Sequence, residues 1–163
     1  MKRIYIASGI PGSGKSTWIQ KRVQSLGGLY ISRDVIRFSL LNDEDDYFAK
    51  EILVFQQFIN LIQAGIDTPE VEDIYIDATH LNEKSRRKVL DRLNLTKVDE
   101  IIVLFFDVKL SVALNRNAKR EGRAYVPETA IQNMYYSLEK PAAAGKYNYT
   151  IWTIDENGVI TYE

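Results

Sequence analysis

Apolar residues in this chain fall into short continuous runs, separated by longer stretches in which they recur every three or four positions. Arg3-Ile4-Tyr5-Ile6-Ala7-Ser8 reads as a short buried strand, and Thr17 to Val23 opens a helix. Gly27-Gly28 ends that segment, and Leu29-Tyr30-Ile31-Ser32 gives a second strand, followed by a short helix from Asp34 to Leu41. The spacing predicts a long helix from Tyr47 to about Ala64, with Phe48, Ile52, Phe55, Ile59 and Ile62 as its buried face. Ile74-Tyr75-Ile76-Asp77 is a third strand, Asn82 to Leu95 a helix, and Ile101 to Phe106 a strand at or near the sheet centre. Helical segments follow at Ser111–Arg120 and Pro127–Glu139, then a fifth strand, Tyr149–Ile154. Asn157-Gly158 turns the chain into a short final strand, Val159–Tyr162. Alternating strands and helices predict one α/β domain over residues 1–163. Its sheet is five-stranded and mainly parallel, with helices on both faces and right-handed crossovers. Ligands of such sheets gather at the carboxyl ends of the strands.

Composition narrows the setting. A chain of 163 residues is long enough for one core that buries roughly 70% of its unfolded surface. With no cysteine, disulfides and thiolate metal sites are excluded and a reducing, cytoplasmic compartment is expected. The N-terminus runs straight into the first strand, so no signal peptide is expected, and no apolar run approaches the ~20 residues of a membrane span. The net charge of −1 argues against a general polyanion binder. Any nucleic-acid contact must come from a local basic wall.

Residues 9–16, Gly-Ile-Pro-Gly-Ser-Gly-Lys-Ser, fill the template G-x-x-x-x-G-K-[ST] between a strand and a helix, the context that gives the template meaning. Such a loop aims successive backbone N–H groups at one point, and the helix N-terminus adds positive potential there. Gly9, Gly12 and Gly14 remove side chains that would keep a triphosphate from the backbone, with Ser13 between the last two. Lys15 can reach the β- and γ-phosphates, and Ser16 can offer its hydroxyl to Mg²⁺. ATP and Mg²⁺ are therefore the expected cofactors.

Further candidates sit at the other strand ends. Asp34 and Arg37 share a face of a short helix and suit a phosphoryl acceptor. The carboxylate would take the proton of an attacking hydroxyl, and the guanidinium would hold an anion on the same molecule. Asp77 ends the third strand where an acid would support Mg²⁺, its water shell or the acceptor, and Thr79 lies just beyond. Asp107 rivals Asp77 but is better placed to cap the next helix. The acidic run Asn42-Asp43-Glu44-Asp45-Asp46 reads as the approach to a helix start rather than a metal site. His80, the only histidine, reads as a hydrogen-bonded structural residue. Arg116, Lys119, Arg120 and Arg123 follow helical spacing before and after Gly122, and predict a lid over about residues 111–126. Tyr147 and Tyr149 suit core packing, or stacking on a base.

Taken together these segments resemble the kinase domain of phage-type 5′-polynucleotide kinase. The resemblance runs through Gly9–Trp18, Ser32-Arg-Asp-x-x-Arg37, Asp77 with Thr79-His-Leu-Asn82, Arg86-Arg87, Phe106-Asp-Val108, Arg116-Asn-Ala-Lys-Arg120 and Val126-Pro127. It implies a P-loop kinase that phosphorylates the 5′-hydroxyl of a DNA or RNA end, without a 3′-phosphatase. Thr17 would lie near the α-phosphate, Asp34 would be the general base and Arg37 would contact the acceptor's 3′-phosphate. Arg120, with Arg116 as helper and Arg123 as competitor, would lie on the β- and γ-phosphates, and Asp77 would be the third-strand acid. A small-molecule kinase acting on a nucleoside, sugar or antibiotic is the alternative. A nucleotide-dependent switch is a third reading, although a GTPase would need an Asn-Lys-x-Asp motif that is absent. Membrane association is not expected, and no pattern indicates an oligomeric state.

Overall fold

The computed structural model describes residues 1–163. Its elements run β1 (Arg3–Ser8), α1 (Lys15–Leu26), β2 (Leu29–Ser32), α2 (Arg33–Leu40), α3 (Glu51–Asp67), β3 (Asp73–Asp77) and α4 (Glu83–Leu90). They continue with β4 (Glu100–Phe106), α5 (Leu110–Ala118), α6 (Glu128–Ser137), β5 (Thr150–Ile154) and β6 (Ile160–Tyr162). One sheet of order β2-β3-β1-β4-β5-β6 holds every strand. The first five are mutually parallel, and β6 extends the expected five-stranded sheet by pairing antiparallel with β5.

Both faces of the sheet are covered, which is why its strands are apolar at successive positions. Ile4, Ile6, Ile74 and Ile76 pack with Val54, Phe58, Ile62 and Ile66 of α3 on one face. Tyr5, Ala7, Tyr75 and Leu104 pack with Ile19 of α1 on the other. No helix is long and apolar enough to cross a membrane.

Three expectations need correction. Residues 47–50 form turns, and α3 begins only at Glu51. Its buried face is Val54, Phe58, Ile62 and Ile66, while Ile52 is 78% exposed. The helix is apolar nearly all round, so two four-residue stripes compete. The one that includes Gly65 wins, because there the helix comes so close that a Cβ would stand 2.7 Å from Leu29 Cδ2. The helix expected to reach Leu95 stops at Leu90, where the N–H groups of Arg92 and Leu93 turn back onto Val89 and Leu90. The first lid helix ends at Ala118, so Arg120 lies beyond it. Buried Asn117 instead fastens the following loop, exchanging two hydrogen bonds with the backbone of Val126 (2.6 and 3.0 Å).

Candidate phosphoryl-transfer site

The loop between β1 and α1 lies at the middle of the sheet, because β1 runs between β3 and β4. Its shape depends on two glycines in the left-handed region, Gly12 (φ +84°) and Gly14 (φ +87°). At Gly12 a Cβ would also stand 2.4 Å from the carbonyl oxygen of Ala113. Gly14 is the N-cap of α1. No side chain caps this helix and no acid lies in its first turn, so its N-terminal potential is left for an external anion. Ser13 Oγ is buried there without a partner. The Gly9 N–H donates to the carbonyl of Thr79 (2.9 Å), which joins the loop to the end of β3.

Register brings the second strand end alongside, with Ser32 of β2 opposite Asp77 of β3. Asp77 is buried, and its Oδ2 accepts from Ser16 Oγ (2.6 Å) and from the Tyr30 hydroxyl (2.5 Å). A hydroxyl and a carboxylate in contact beside an anion cradle are the oxygen donors that Mg²⁺ takes when it keeps most of its waters. Burial pulls the Lys15 ammonium below its usual range; the carboxylates of Asp77 and Asp34 oppose that shift, and Arg120 adds to it. Four charged groups from separate segments therefore share one field.

Asp34 stands in the first turn of α2, whose N-cap Ser32 accepts from the Val35 N–H (3.2 Å). The Asp34 side chain is about half exposed, and its Oδ1 accepts from Arg37 Nη1 and from the Tyr47 hydroxyl. Arg37 is buried, with Nε and Nη2 on Glu51 (3.3 and 2.7 Å) and the guanidinium 4.2 Å from the Tyr47 ring centroid. The residue expected to hold an acceptor phosphate thus has Nε, Nη1 and Nη2 all engaged within the protein. Burial, followed by the bond to Asp34, raises the Tyr47 phenol above its ordinary range.

The lid arginines divide. Arg116 donates to the carbonyl of Glu156 (2.6 Å) and reaches that of Gly12 (3.5 Å). Arg120 is exposed, with a long contact to the Ala124 carbonyl (3.5 Å). Arg123 donates to the carbonyls of Asn42 (2.6 Å), Asp43 (3.3 Å) and Asp45 (3.2 Å), across the cleft.

Other candidates take no part in these contacts. Asp107 does not cap α5, whose N-cap is Lys109 without a side-chain bond. Tyr149 is buried against Glu83, and Tyr147 bonds Asp91. Asp45 accepts from the Asn42 N–H and pairs with Lys50 at 3.4 Å, so it closes a turn.

The sequence reading missed Tyr30, Tyr47 and Glu51, and it also missed a cavity of about 810 Å³ beside the loop. Gly14, Thr17, Trp18, Arg116, Asp155 and Asn157 are among its lining residues. Trp18 Nε1 donates to the Gly158 carbonyl (3.2 Å), so the hairpin turn between β5 and β6 closes one side. Two signals stood in the sequence: a tryptophan right after the motif, and an Asn-Gly turn returning the last strand.

Solved structures share this architecture. A sugar kinase from Janibacter sp. HTCC2649 superposes with a TM-score of 0.65 at 21% identity, covering 96% of this chain and 87% of that one. A gluconokinase from Sinorhizobium meliloti 1021 gives 0.53 at 19% identity, over 91% and 81%. A chain of the Pnkp1/Rnl/Hen1 RNA repair complex gives 0.70 at 23% identity, over 84% of this chain and 44% of that one. The fold is that of P-loop kinases. Residues 4–141 match the family described as AAA domain, and the chain belongs to that family.

Proposed function

We propose that the chain transfers the γ-phosphoryl group of ATP, with Mg²⁺, to the 5′-hydroxyl of a DNA or RNA end in a reducing cytoplasm. The observation that carries this reading is the register that sets Ser32, the cap of the helix bearing Asp34, opposite Asp77, whose carboxylate accepts from Ser16 of the phosphate loop. The Gly9–Ser16 backbone and Thr17 hold the phosphates, and Lys15 contacts the β- and γ-oxygens. Bound Mg²⁺ supplies charge neutralisation at those oxygens, and Ser16 and Asp77 are the residues that would hold it. Thr79 supports the acceptor side through its bond to Gly9. Asp34 orients the acceptor hydroxyl and takes its proton as the new O–P bond forms and the bond to the leaving ADP oxygen breaks. The transition state is loose, so positioning outweighs base strength. Arg37, held by Glu51, keeps the carboxylate aimed. Arg120 is the lid arginine for the transferring group because it keeps only a long contact to the Ala124 carbonyl, whereas Arg123 is engaged by three carbonyls of the 42–45 segment. Arg116 and Trp18 flank the cavity where the donor base lies.

One observation favours a small-molecule acceptor instead. The loop beside Asp34 is acidic over Asp43–Asp46, and Arg37 is already bound, so neither attracts a phosphodiester. The deciding assay offers γ-labelled ATP to 5′-hydroxyl oligonucleotides, nucleosides and sugars. Oligonucleotide labelling that disappears in Asp34→Asn, with the far-ultraviolet spectrum unchanged, is the expected result. Undiminished labelling in Asp34→Asn removes that residue from the mechanism, and labelling of sugars alone selects the second reading.

A further inference from the structure

Exposed apolar side chains adjoin the proposed acceptor position. The Phe48 ring is 67% exposed and Ile52 78%, with Tyr47 and Phe38 each 37% exposed. Phe38, Tyr47 and Phe48 form one patch. Phe38 and Tyr47 stand 6.1 Å apart between ring centroids, and Tyr47 and Phe48 stand 4.7 Å apart at 86°. A contiguous exposed apolar patch marks a binding surface more often than single exposed residues do. Its position ties it to the cleft: the Tyr47 hydroxyl donates to the Asp34 carboxylate, and the Arg37 guanidinium lies 5.6 Å from the Phe48 ring centroid. A molecule with its hydroxyl at Asp34 meets Tyr47 and then Phe48. The segment entering this aromatic step is fastened to the lid by Arg123, so the step belongs to the cleft.

We propose that Phe48 is the stacking surface for the base of the acceptor's terminal nucleoside, a subsite that rests on reading Asp34 as the residue facing the acceptor hydroxyl. The shape selects a base on a chain end over a small sugar. Small ligands are held in sites that bury most of their surface, whereas this step is an open face with most of Phe48 in solvent. Charge sets the orientation of that nucleoside. The neighbouring Asp43, Glu44 and Asp46 repel phosphate but tolerate a neutral ring, so the base sits here and the phosphates leave away from the acidic loop. Stacking is sequence-tolerant, because every base has a π-face.

The test compares wild type, Phe48→Ala and Phe48→Trp on a 5′-hydroxyl oligonucleotide and on the same strand with an abasic 5′-terminal residue. Stacking on one aromatic ring is worth about 1–3 kcal/mol per base, so Phe48→Ala should raise KM for the intact strand about 5- to 150-fold. The loss should be carried by KM rather than kcat, with KM for ATP unchanged. Phe48→Trp should restore the wild-type KM. The abasic strand should be equally poor for all three proteins. Unchanged KM in Phe48→Ala, or an equal rise on the abasic strand, overturns the stacking role while leaving the kinase reading standing. A wild-type protein that labels sugars and no 5′-hydroxyl strand overturns both. Phe48→Ala should unfold at the wild-type temperature, since most of the ring is in solvent.

Discussion

At the scale of single residues, His80 has the environment with the plainest consequence. Its imidazole is 3% exposed, faces Phe58 and has Nδ1 2.7 Å from the carbonyl oxygen of Ala7, so Nδ1 must carry the proton. Burial lowers its pKa to about 4, which keeps the ring neutral across the physiological range. The unfolded chain therefore binds a proton between pH 6.5 and about 4 while the folded chain does not. Stability from this group is complete above pH 6.5 and is lost as pH falls towards 4, by about 3 kcal/mol in all. Replacing His80 with Asn, which tolerates the local φ of +37°, should flatten this part of the curve of urea-unfolding free energy against pH. Lys15, Ser16 and Asp77 were legible in the sequence because the motif and the strand end fix them to known corners of the fold. Tyr47 and Glu51 were not. They meet Asp34 and Arg37 from 13 and 14 residues away, through a turn whose path has no period to read.

At the scale of elements, the strands were the most legible part. Each is a short apolar run bounded by polar residues, and burial on both faces removes any ambiguity of side. The same richness defeated the reading of α3, where a helix apolar nearly all round offers two stripes and only the docking partner chooses. The phosphate loop was legible because its glycines are required by geometry. Gly12→Ala should show this: the left-handed backbone alone costs about 1–2 kcal/mol, and the added Cβ meets the Ala113 carbonyl. The expected outcome is a lower urea midpoint together with at least a tenfold loss of ATP affinity, measured by titration calorimetry. Retained affinity would mean that the loop reshapes freely.

At the scale of the whole molecule, parallel pairing sets β2, β3 and β1 side by side with their carboxyl ends together, so residues 9, 34 and 77 converge although they are far apart in the chain. Ligand binding across that convergence should stabilise the entire domain. A hydrolysis-resistant ATP analogue with Mg²⁺ at a hundred times its Kd adds about 2.7 kcal/mol. For a domain of this size that raises Tm by about 5–10 °C in a thermal scan. Lys15→Ala should abolish the rise without lowering the unliganded Tm. The Arg123 bridge between the lid and the 42–45 segment has a mechanical consequence. Its acceptors are main-chain oxygens, which do not titrate, so mild acid leaves the bridge made. The lid and the 42–45 segment are thereby fastened at one guanidinium, and they separate only when three carbonyls give it up together.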